Sequence, residues 1–342
     1  MRRVNDVAVT TDRTRLAVQT AGAGRPLVLL PGQANNHTWW DAVRDDFHAT
    51  HRTITFDYRG TGASDRPDEP YSTRQFAADV IAVLDHLGIA EADVYGTSMG
   101  GRVAQWVAID HPGRVRRLVL GCTSPGGSHA VERSADVRRA LIRPDAAETL
   151  ADLMYTSDWR AGHPGPHRTL GDDTMPTHAR KHHLVASNEH DAWDALSRVA
   201  APTLVLHGTD DRLTPAENAP LLADRIPDAT VHLFPGGRHA YFEEWRPEAS
   251  DVVREFLTAE RAPARTAVRA VLTGLLDGTI TRRAAADWAM PWLRDDAGEV
   301  TDATVWAALD RLSGADSATA PGAHLYGPED FHAWLADLDA GS

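Results

Sequence analysis

Short apolar runs alternate with longer amphipathic segments along most of the chain. The continuous apolar run at 26–30 is typical of a strand that is buried on both faces of a sheet. Similar runs predict strands at 52–57, 92–95, 114–121, 202–208 and 230–234, and helical periodicity predicts helices at 38–47, 73–87 and 247–257. Strands that alternate with helices in this way indicate an α/β fold, a mostly parallel sheet with helices on both faces.

Three other regions depart from this alternation. At the start, alternating residues at 4–9 and 15–20 predict an antiparallel hairpin. Between about 123 and 200 the strand pattern is absent, and helix-like segments at 135–154 and 177–196 flank a stretch at 158–176 that is rich in Gly, Pro and Asp. We interpret this region as a helical cap inserted over the cleft of the sheet.

The last part of the chain is predicted to be a separate small helical domain. The segment 261–265 has the composition of a linker, and beyond it four tryptophans lie in helix-like segments. We therefore expect two domains, 1–260 with the cap at about 123–200, and 265–342. The tryptophans either form the core of this domain or provide a surface for a homo-oligomer, and core packing is the more common use.

Composition narrows the choice of partner. The chain has 342 residues, 42% of them hydrophobic, and a formal net charge of −13, which argues against nucleic acid or an anionic membrane as the partner. Cys122 is the single cysteine, so no intrachain disulfide is expected. No run has the length of a membrane span, and the arginines near the N-terminus precede no apolar segment, so a cytoplasmic protein is expected.

The segment Gly96-x-Ser98-x-Gly100 contains the strongest candidate for a reactive side chain, Ser98. A predicted strand precedes this segment and a helix-compatible segment follows it, and this context predicts a strained turn that exposes the Ser98 hydroxyl. The N–H group of Met99, at the start of the helix, points toward the same space and can stabilise an oxyanion. The motif alone is a weak signal, because it also occurs in ordinary turns.

A carboxylate and a histidine follow later strands. Asp211 comes just after the strand at 202–208, with Asp210 as its rival, and His239 lies in a glycine-rich loop after the strand at 230–234. Because the carboxyl ends of parallel strands meet at one edge of the sheet, these side chains are expected to lie near Ser98. Asp211 is favoured over Asp210 by its position between Gly208 and Pro215.

In this order of serine, acid and histidine, residues 1 to about 258 resemble the alpha/beta-hydrolase superfamily. The resemblance also rests on Pro31-Gly32-Gln33 followed by Trp39, and on the loop that begins Asp57-Tyr58-Arg59-Gly60. It implies that Ser98 is the nucleophile, that His239 is its base and that Asp211 orients the base. It further implies an oxyanion hole formed by the N–H groups of Met99 and Gln33. The family commonly has His-Gly where this chain has Pro31-Gly32.

The resemblance implies a hydrolase that uses neither a metal nor a cofactor. The leading hypothesis is a serine hydrolase of a small carboxylic ester or lactone. A thioesterase, a hydrolase of carbon–carbon bonds and a non-catalytic ligand-binding protein are the alternatives, and the sequence identifies no substrate-binding residue. A zinc site is not expected at His178, His182 and His183, because no acidic or thiolate partner has matching spacing.

Overall fold

A computed structural model of the chain describes residues 4–141, 143, 146–259, 265–293, 300, 302–320 and 323–340. Residues 1–3 and most of the predicted linker, 261–264, lie outside the described residues. The chain forms two compact units, Met1–Leu257 and Thr258–Ser342.

An eight-stranded sheet forms the centre of the first unit. Its strands are β1 Val4–Val9, β2 Arg15–Gly22, β3 Arg25–Leu30, β4 His51–Phe56, β5 Ala92–Thr97, β6 Val115–Gly121, β7 Thr203–Gly208 and β8 Ala229–Phe234. Their spatial order is β1-β2-β4-β3-β5-β6-β7-β8, and β2 runs antiparallel to both of its neighbours. The pairs from β4 to β8 are all parallel. The predicted hairpin and the mostly parallel sheet are therefore confirmed.

Helices cover both faces of this sheet. In chain order the α-helices of the first unit are α1 Thr73–His86, α2 Met99–Asp110, α3 Ala135–Ala140, α4 Ala146–Met154, α5 Ser157–Gly162, α6 Thr177–Asn188, α7 Asn218–Arg225, α8 Tyr241–Glu244 and α9 Glu248–Thr258. Val80 of α1, Val103 of α2 and Leu222 of α7 are buried in one core cluster. Val253 of α9 is buried in a second cluster with Trp40. These two clusters sandwich the sheet, which is the layered arrangement predicted from its doubly buried strands.

The region between β6 and β7, which was predicted to be the cap and is called the cap below, contains α3 to α6. Its helices are shorter than predicted. The segment 135–154 holds two helices rather than one, and the sequence places Pro144, a residue that cannot continue a helix, between them. The segment 177–196 contains α6 and then a separate 3-10 helix, Trp193–Arg198. Helix α5 lies at the start of the stretch predicted to be irregular, where the Thr156 hydroxyl caps it by accepting from the N–H of Trp159.

The predicted helix at 38–47 is wrong in type. Two 3-10 helices, His37–Trp40 and Arg44–Phe47, occupy this segment instead. The Asn36 side chain caps the first of them by accepting from the N–H of Thr38 at 2.9 Å. Trp39 and Trp40 are both buried against the sheet, and the tertiary packing of these two large rings outweighs the local preference for a regular α-helix.

The second unit is mainly helical. It contains α10 Arg265–Asp277, α11 Arg282–Ala289, α12 Ala303–Ser313, α13 Pro328–Ala340 and a two-stranded sheet of β9 Ala318–Ala320 and β10 Ala323–His324. Leu272, Leu309 and Trp334 are buried in its own core. Trp306, by contrast, is 48% exposed. Among the described residues, no helix of either unit is long and apolar enough to cross a membrane.

Candidate active site

Ser98 lies at a sharp turn between β5 and α2. Its backbone has φ 56° and ψ −122°, an unfavourable conformation for a residue with a side chain. A Cβ atom at Gly96 would lie 2.2 Å from the carbonyl oxygen of Gly100, and one at Gly100 would lie 2.2 Å from that of Leu30. Both contacts are with backbone atoms that cannot move aside cheaply, so only glycine fits at the positions two residues before and two residues after Ser98.

The backbone of Ser98 is fixed by the end of β6 and by Thr123, two residues after that strand. Its N–H donates to the Gly121 carbonyl at 2.9 Å, and its carbonyl accepts from the Thr123 hydroxyl at 2.7 Å. These bonds hold the strained turn in place. Met99 occupies the first position of α2, where a backbone N–H has no acceptor within its own helix. The N–H of Met99 is therefore available to a ligand beside Ser98.

His239 and Asp211 form a buried pair. His239 Nδ1 lies 2.7 Å from Asp211 Oδ2, and both side chains are almost completely buried. The other carboxylate oxygen, Oδ1, accepts from the N–H groups of Leu213 at 2.8 Å and Thr214 at 2.9 Å. Burial by itself raises the pKa of Asp211, but the charge of His239 and hydrogen bonds from two histidines hold this pKa well below its ordinary value. Asp211 is therefore a carboxylate at neutral pH and accepts the proton on His239 Nδ1.

The second of these histidines, His207, was missed by the sequence reasoning. Its Nε2 lies 2.8 Å from the Thr214 carbonyl oxygen and 3.3 Å from Asp211 Oδ2. Because a carbonyl oxygen only accepts, Nε2 carries the proton. The N–H group at Nε2 of His207 therefore stabilises the negative charge of the Asp211 carboxylate. Its place four residues before Asp211, near the end of β7, was the only signal in the sequence.

Asp210, the rival acid, points elsewhere. Its side chain is exposed and accepts from the Thr209 hydroxyl at 3.1 Å, while its backbone N–H donates to the Gly237 carbonyl at 2.9 Å. The structure thus brings Asp211, and not Asp210, to His239.

The loop that carries Gln33 is held by the cap. Ala34 has a positive φ of 57°, and its carbonyl accepts from the N–H of Asp172 at 2.8 Å. Its N–H donates to His183 Nδ1 at 3.4 Å, while His183 Nε2 lies 2.9 Å from the Arg59 carbonyl oxygen. Burial lowers the pKa of His183 to about 4, so the ring is neutral and one nitrogen can donate while the other accepts. Cap residues thus fix the backbone beside Gln33 in a strained conformation.

Cap residues also hold the loop of His239. The His239 N–H donates to the Leu153 carbonyl at 3.3 Å, and the next N–H, of Ala240, donates to the Met154 carbonyl at 2.9 Å. Arg238 donates to the Tyr155 carbonyl at 2.7 Å. The end of α4 and the residue after it therefore position the histidine.

Three of the five predicted site residues face one cavity of about 700 Å³, whereas Asp211 and Met99 are not part of its wall. Ser98, His239 and Gln33 lie in its wall. Apolar side chains of the cap and of the loop after β7 also face it, namely Leu141, Leu150, Met154, Leu170, Leu184 and Leu213. A volume of this size is typical of a pocket for a small organic molecule.

The histidines of the cap have separate partners. His178 Nε2 lies 3.2 Å from the Arg66 carbonyl oxygen, and His182 Nε2 lies 2.9 Å from Asp68 Oδ1. His183 is engaged with the Gln33 loop, so the three rings do not converge. Within the part of the chain that the structure describes, no group of three or more His, Cys, Asp or Glu side chains is arranged to hold a metal ion.

Several hydrolases are similar to this chain. The 2-hydroxymuconate semialdehyde hydrolase of Pseudomonas sp. (strain CF600) is 32% identical over 73% of this chain and 93% of its own length. The 3-oxoadipate enol-lactonase 2 of Acinetobacter baylyi is 30% identical over 62% of this chain and 81% of its own. A solved structure of Est816, described as an N-acyl homoserine lactone degrading enzyme, is 28% identical with a TM-score of 0.63 and covers 73% of this chain and 99% of Est816.

Two family models match consecutive parts of the chain. The model described as YxzC DNA-binding protein matches residues 255–338, nearly all of which belong to the second unit. The model described as alpha/beta hydrolase fold matches residues 25–244, which include β3 to β8 and the cavity. Together with the similar hydrolases, this match shows that the chain belongs to the alpha/beta hydrolase family and is an enzyme of that type.

Proposed function

We propose that the chain is a serine hydrolase that cleaves a carboxylic ester or lactone of a small molecule through an acyl-enzyme. One observation carries the proposal: a single cavity is lined by Ser98, His239 and Gln33, and His239 is bonded to Asp211 at 2.7 Å. The serine, the base, the acid that orients the base and an oxyanion donor are the four parts that acyl transfer needs.

The pairing of His239 with Asp211 supports Nε2 as the ring nitrogen that acts as the base. Because Asp211 accepts the proton on Nδ1, Nε2 is left without a proton and takes the one on the Ser98 hydroxyl. Ser98 Oγ attacks the substrate carbonyl, and the N–H groups of Met99 and Gln33 stabilise the oxyanion. His239 then gives its proton to the departing alcohol. Water, activated by the same ring, releases the acyl group, and none of these steps uses a metal or a cofactor.

The names of the relatives support a hydrolase of this type and leave its substrate open. Their names include an enol-lactonase, a lactone-degrading enzyme and a semialdehyde hydrolase, so one fold serves different substrates. A thioesterase or a hydrolase of carbon–carbon bonds would use the same cavity. A non-catalytic binding protein is disfavoured, because the buried Asp211–His239 pair and the strained turn at Ser98 are costly features that binding alone does not need.

Two measurements on the full chain test the proposal. A fluorophosphonate probe should label the wild-type protein and not Ser98→Ala, and a screen of esters, lactones and thioesters should show turnover that Ser98→Ala loses by several orders of magnitude. The class of compound that is turned over fastest then distinguishes an esterase or lactonase from a thioesterase. Unchanged turnover by a folded Ser98→Ala protein would overturn the assignment of the nucleophile.

The second unit calls for a separate proposal. The family that matches it is described as DNA-binding, yet acidic side chains outnumber basic ones by about two to one in residues 258–342. Because phosphates are bound mainly by Lys and Arg, we infer that this unit does not bind nucleic acid. Binding of the full chain to duplex DNA in low salt would contradict this inference.

A homo-oligomer that forms through the tryptophans of the second unit stays a prediction. Light scattering of the wild-type chain and of Trp306→Ser checks it.

A further inference from the structure

The wall of the active-site cavity contains an excess of positive charge. Arg102, Arg133, Arg138 and Arg180 line it together with one acidic side chain, Glu132. Glu132 forms an ion pair with Arg138, with Oε2 3.4 Å from Nη2. The single carboxylate of the wall is thus already engaged, and the other three arginines have no acidic partner in the wall.

Arg102 is buried and its charge is not neutralised. It lies in the first turns of α2, and its guanidinium donates to the Ser187 hydroxyl at 3.0 Å, to the Ser187 carbonyl and to the Ser124 hydroxyl at 3.0 Å. All three acceptors are neutral. Burial, and then repulsion by Arg133, lowers the pKa of Arg102 to about 10, so the side chain is still a cation at neutral pH.

Arg133 faces the same cavity from the loop that precedes α3. Among the residues that the structure describes, its guanidinium has no hydrogen-bond partner and no ion-pair partner. Burial lowers the pKa of Arg133, and the charges of Glu132 and Asp211 oppose this effect. The side chain lies in the same cavity wall as Ser98 and His239. Arg133 is therefore a half-buried cation with free donors near the catalytic residues.

Two partly desolvated cations that repel each other are an unfavourable arrangement unless an anion lies close to both. A carboxylate placed against Arg133 would attract both of them, and guanidinium groups bind carboxylates with two parallel hydrogen bonds. Arg102 donates to fixed protein acceptors, so it supplies charge, whereas Arg133 has its donors available. The apolar side chains of the cap would contact the carbon chain between this carboxylate and the scissile bond.

We propose that the substrate carries a carboxylate in addition to the ester or lactone group, and that Arg133 binds that carboxylate. This inference rests on the proposed function and narrows its substrate class to anionic esters or lactones. Arg133 then determines specificity, because it distinguishes an anionic substrate from a neutral one of the same shape.

A matched pair of substrates tests the role of Arg133. The first is the 4-nitrophenyl monoester of glutaric acid, and the second is the same ester with its free carboxylate capped as a methyl ester. The wild-type chain should have the higher kcat/KM for the anionic ester. In Arg133→Gln the ratio of the two kcat/KM values should fall at least about tenfold, since a charge-assisted hydrogen bond is lost. Arg133→Lys should restore part of the ratio.

Arg139→Gln provides the control. Arg139 lies outside the cavity wall and pairs with Asp136 on the surface of α3, so its removal changes the net charge equally and should leave the ratio unchanged. An unchanged ratio in Arg133→Gln, or a wild-type preference for the neutral ester, would overturn the proposal.

A second measurement separates this proposal from the proposed function. The hydrolase assignment fails if the chain shows neither fluorophosphonate labelling nor turnover in the substrate screen, whereas the carboxylate site is decided independently by binding. Thermal denaturation with glutarate at constant ionic strength should show a stabilisation of the wild-type chain that Arg133→Gln lacks and that neutral glutaramide does not produce. Equal stabilisation of both proteins by glutarate would refute the site.

Discussion

Replacement of Asp211 by asparagine tests how the buried carboxylate controls His239. In the wild-type chain Oδ1 accepts two backbone N–H groups, from Leu213 at 2.8 Å and Thr214 at 2.9 Å, and Oδ2 faces His239 at 2.7 Å. A backbone N–H only donates, so the amide oxygen of the new side chain must take the place of Oδ1. The amide nitrogen then faces His239 Nδ1, which becomes an acceptor, and the proton moves to Nε2.

The expected loss of activity follows from this change of tautomer. With a proton on Nε2 the ring cannot accept one from Ser98, and no charge stabilises the imidazolium that forms in the transition state. We expect kcat to fall by about 1,000- to 10,000-fold, as is typical when a triad acid is changed to its amide. KM should change little, because the side chain is buried and is not part of the cavity wall.

Asp210→Asn is the matched control. It makes the same chemical change one residue earlier, at an exposed side chain that contacts Thr209 and not His239. Its turnover should stay within about twofold of wild type, since surface substitutions rarely matter. Turnover is followed with a 4-nitrophenyl ester, and circular dichroism checks the fold. A severe Asp210→Asn variant beside a mild Asp211→Asn variant would refute the reasoning.

Three further predictions concern the turn at Ser98, a buried glutamate and the second unit. Gly100→Ala should abolish the folded enzyme, because its Cβ would lie 2.2 Å from the Leu30 carbonyl oxygen, whereas Gly113→Ala, with open space around it, should express and melt like wild type. Burial raises the pKa of Glu243 to about 7 from 4.5, so the folded chain binds more protons between these pH values and its stability falls as pH rises through them. Urea denaturation of Glu243→Gln should therefore show a smaller loss of stability over that range, and an unchanged slope would contradict the assignment. A chain that ends at Ala262 retains every residue of the cavity wall and should keep fluorophosphonate labelling; a folded but unlabelled product would show that the second unit shapes the site.

Much of the first unit was predictable because its signals are local. The apolar run of β3 and those of later strands show burial on both faces, and this pattern needs no knowledge of the neighbouring strands. The turn at Ser98 is likewise indicated by the glycines two residues before and after it. The order of Ser98, Asp211 and His239 along the chain then indicated the family, which the comparisons confirm.

The cap was predicted less well, for a physical reason. Its segments are short, and where each helix ends depends on packing and capping rather than on periodicity. Trp39 and Trp40 show the same limit outside the cap: their burial against the sheet selects 3-10 geometry for a segment whose pattern alone favours an α-helix.

The sequence by itself determined the fold class, the family and a short set of candidate residues, because these depend on the order and spacing of residues along the chain. Only the tertiary structure decided that Asp211 rather than Asp210 reaches His239, that His207 supports the carboxylate and that His183 fixes the loop beside Gln33. It also placed Arg133 in the wall of the same cavity as Ser98. Most of these contacts join residues far apart in the chain, so no local pattern encodes them. For Asp211 the spacing from Gly208 and Pro215 indicated a preference over Asp210, but only the folded loop shows which of the two side chains reaches His239.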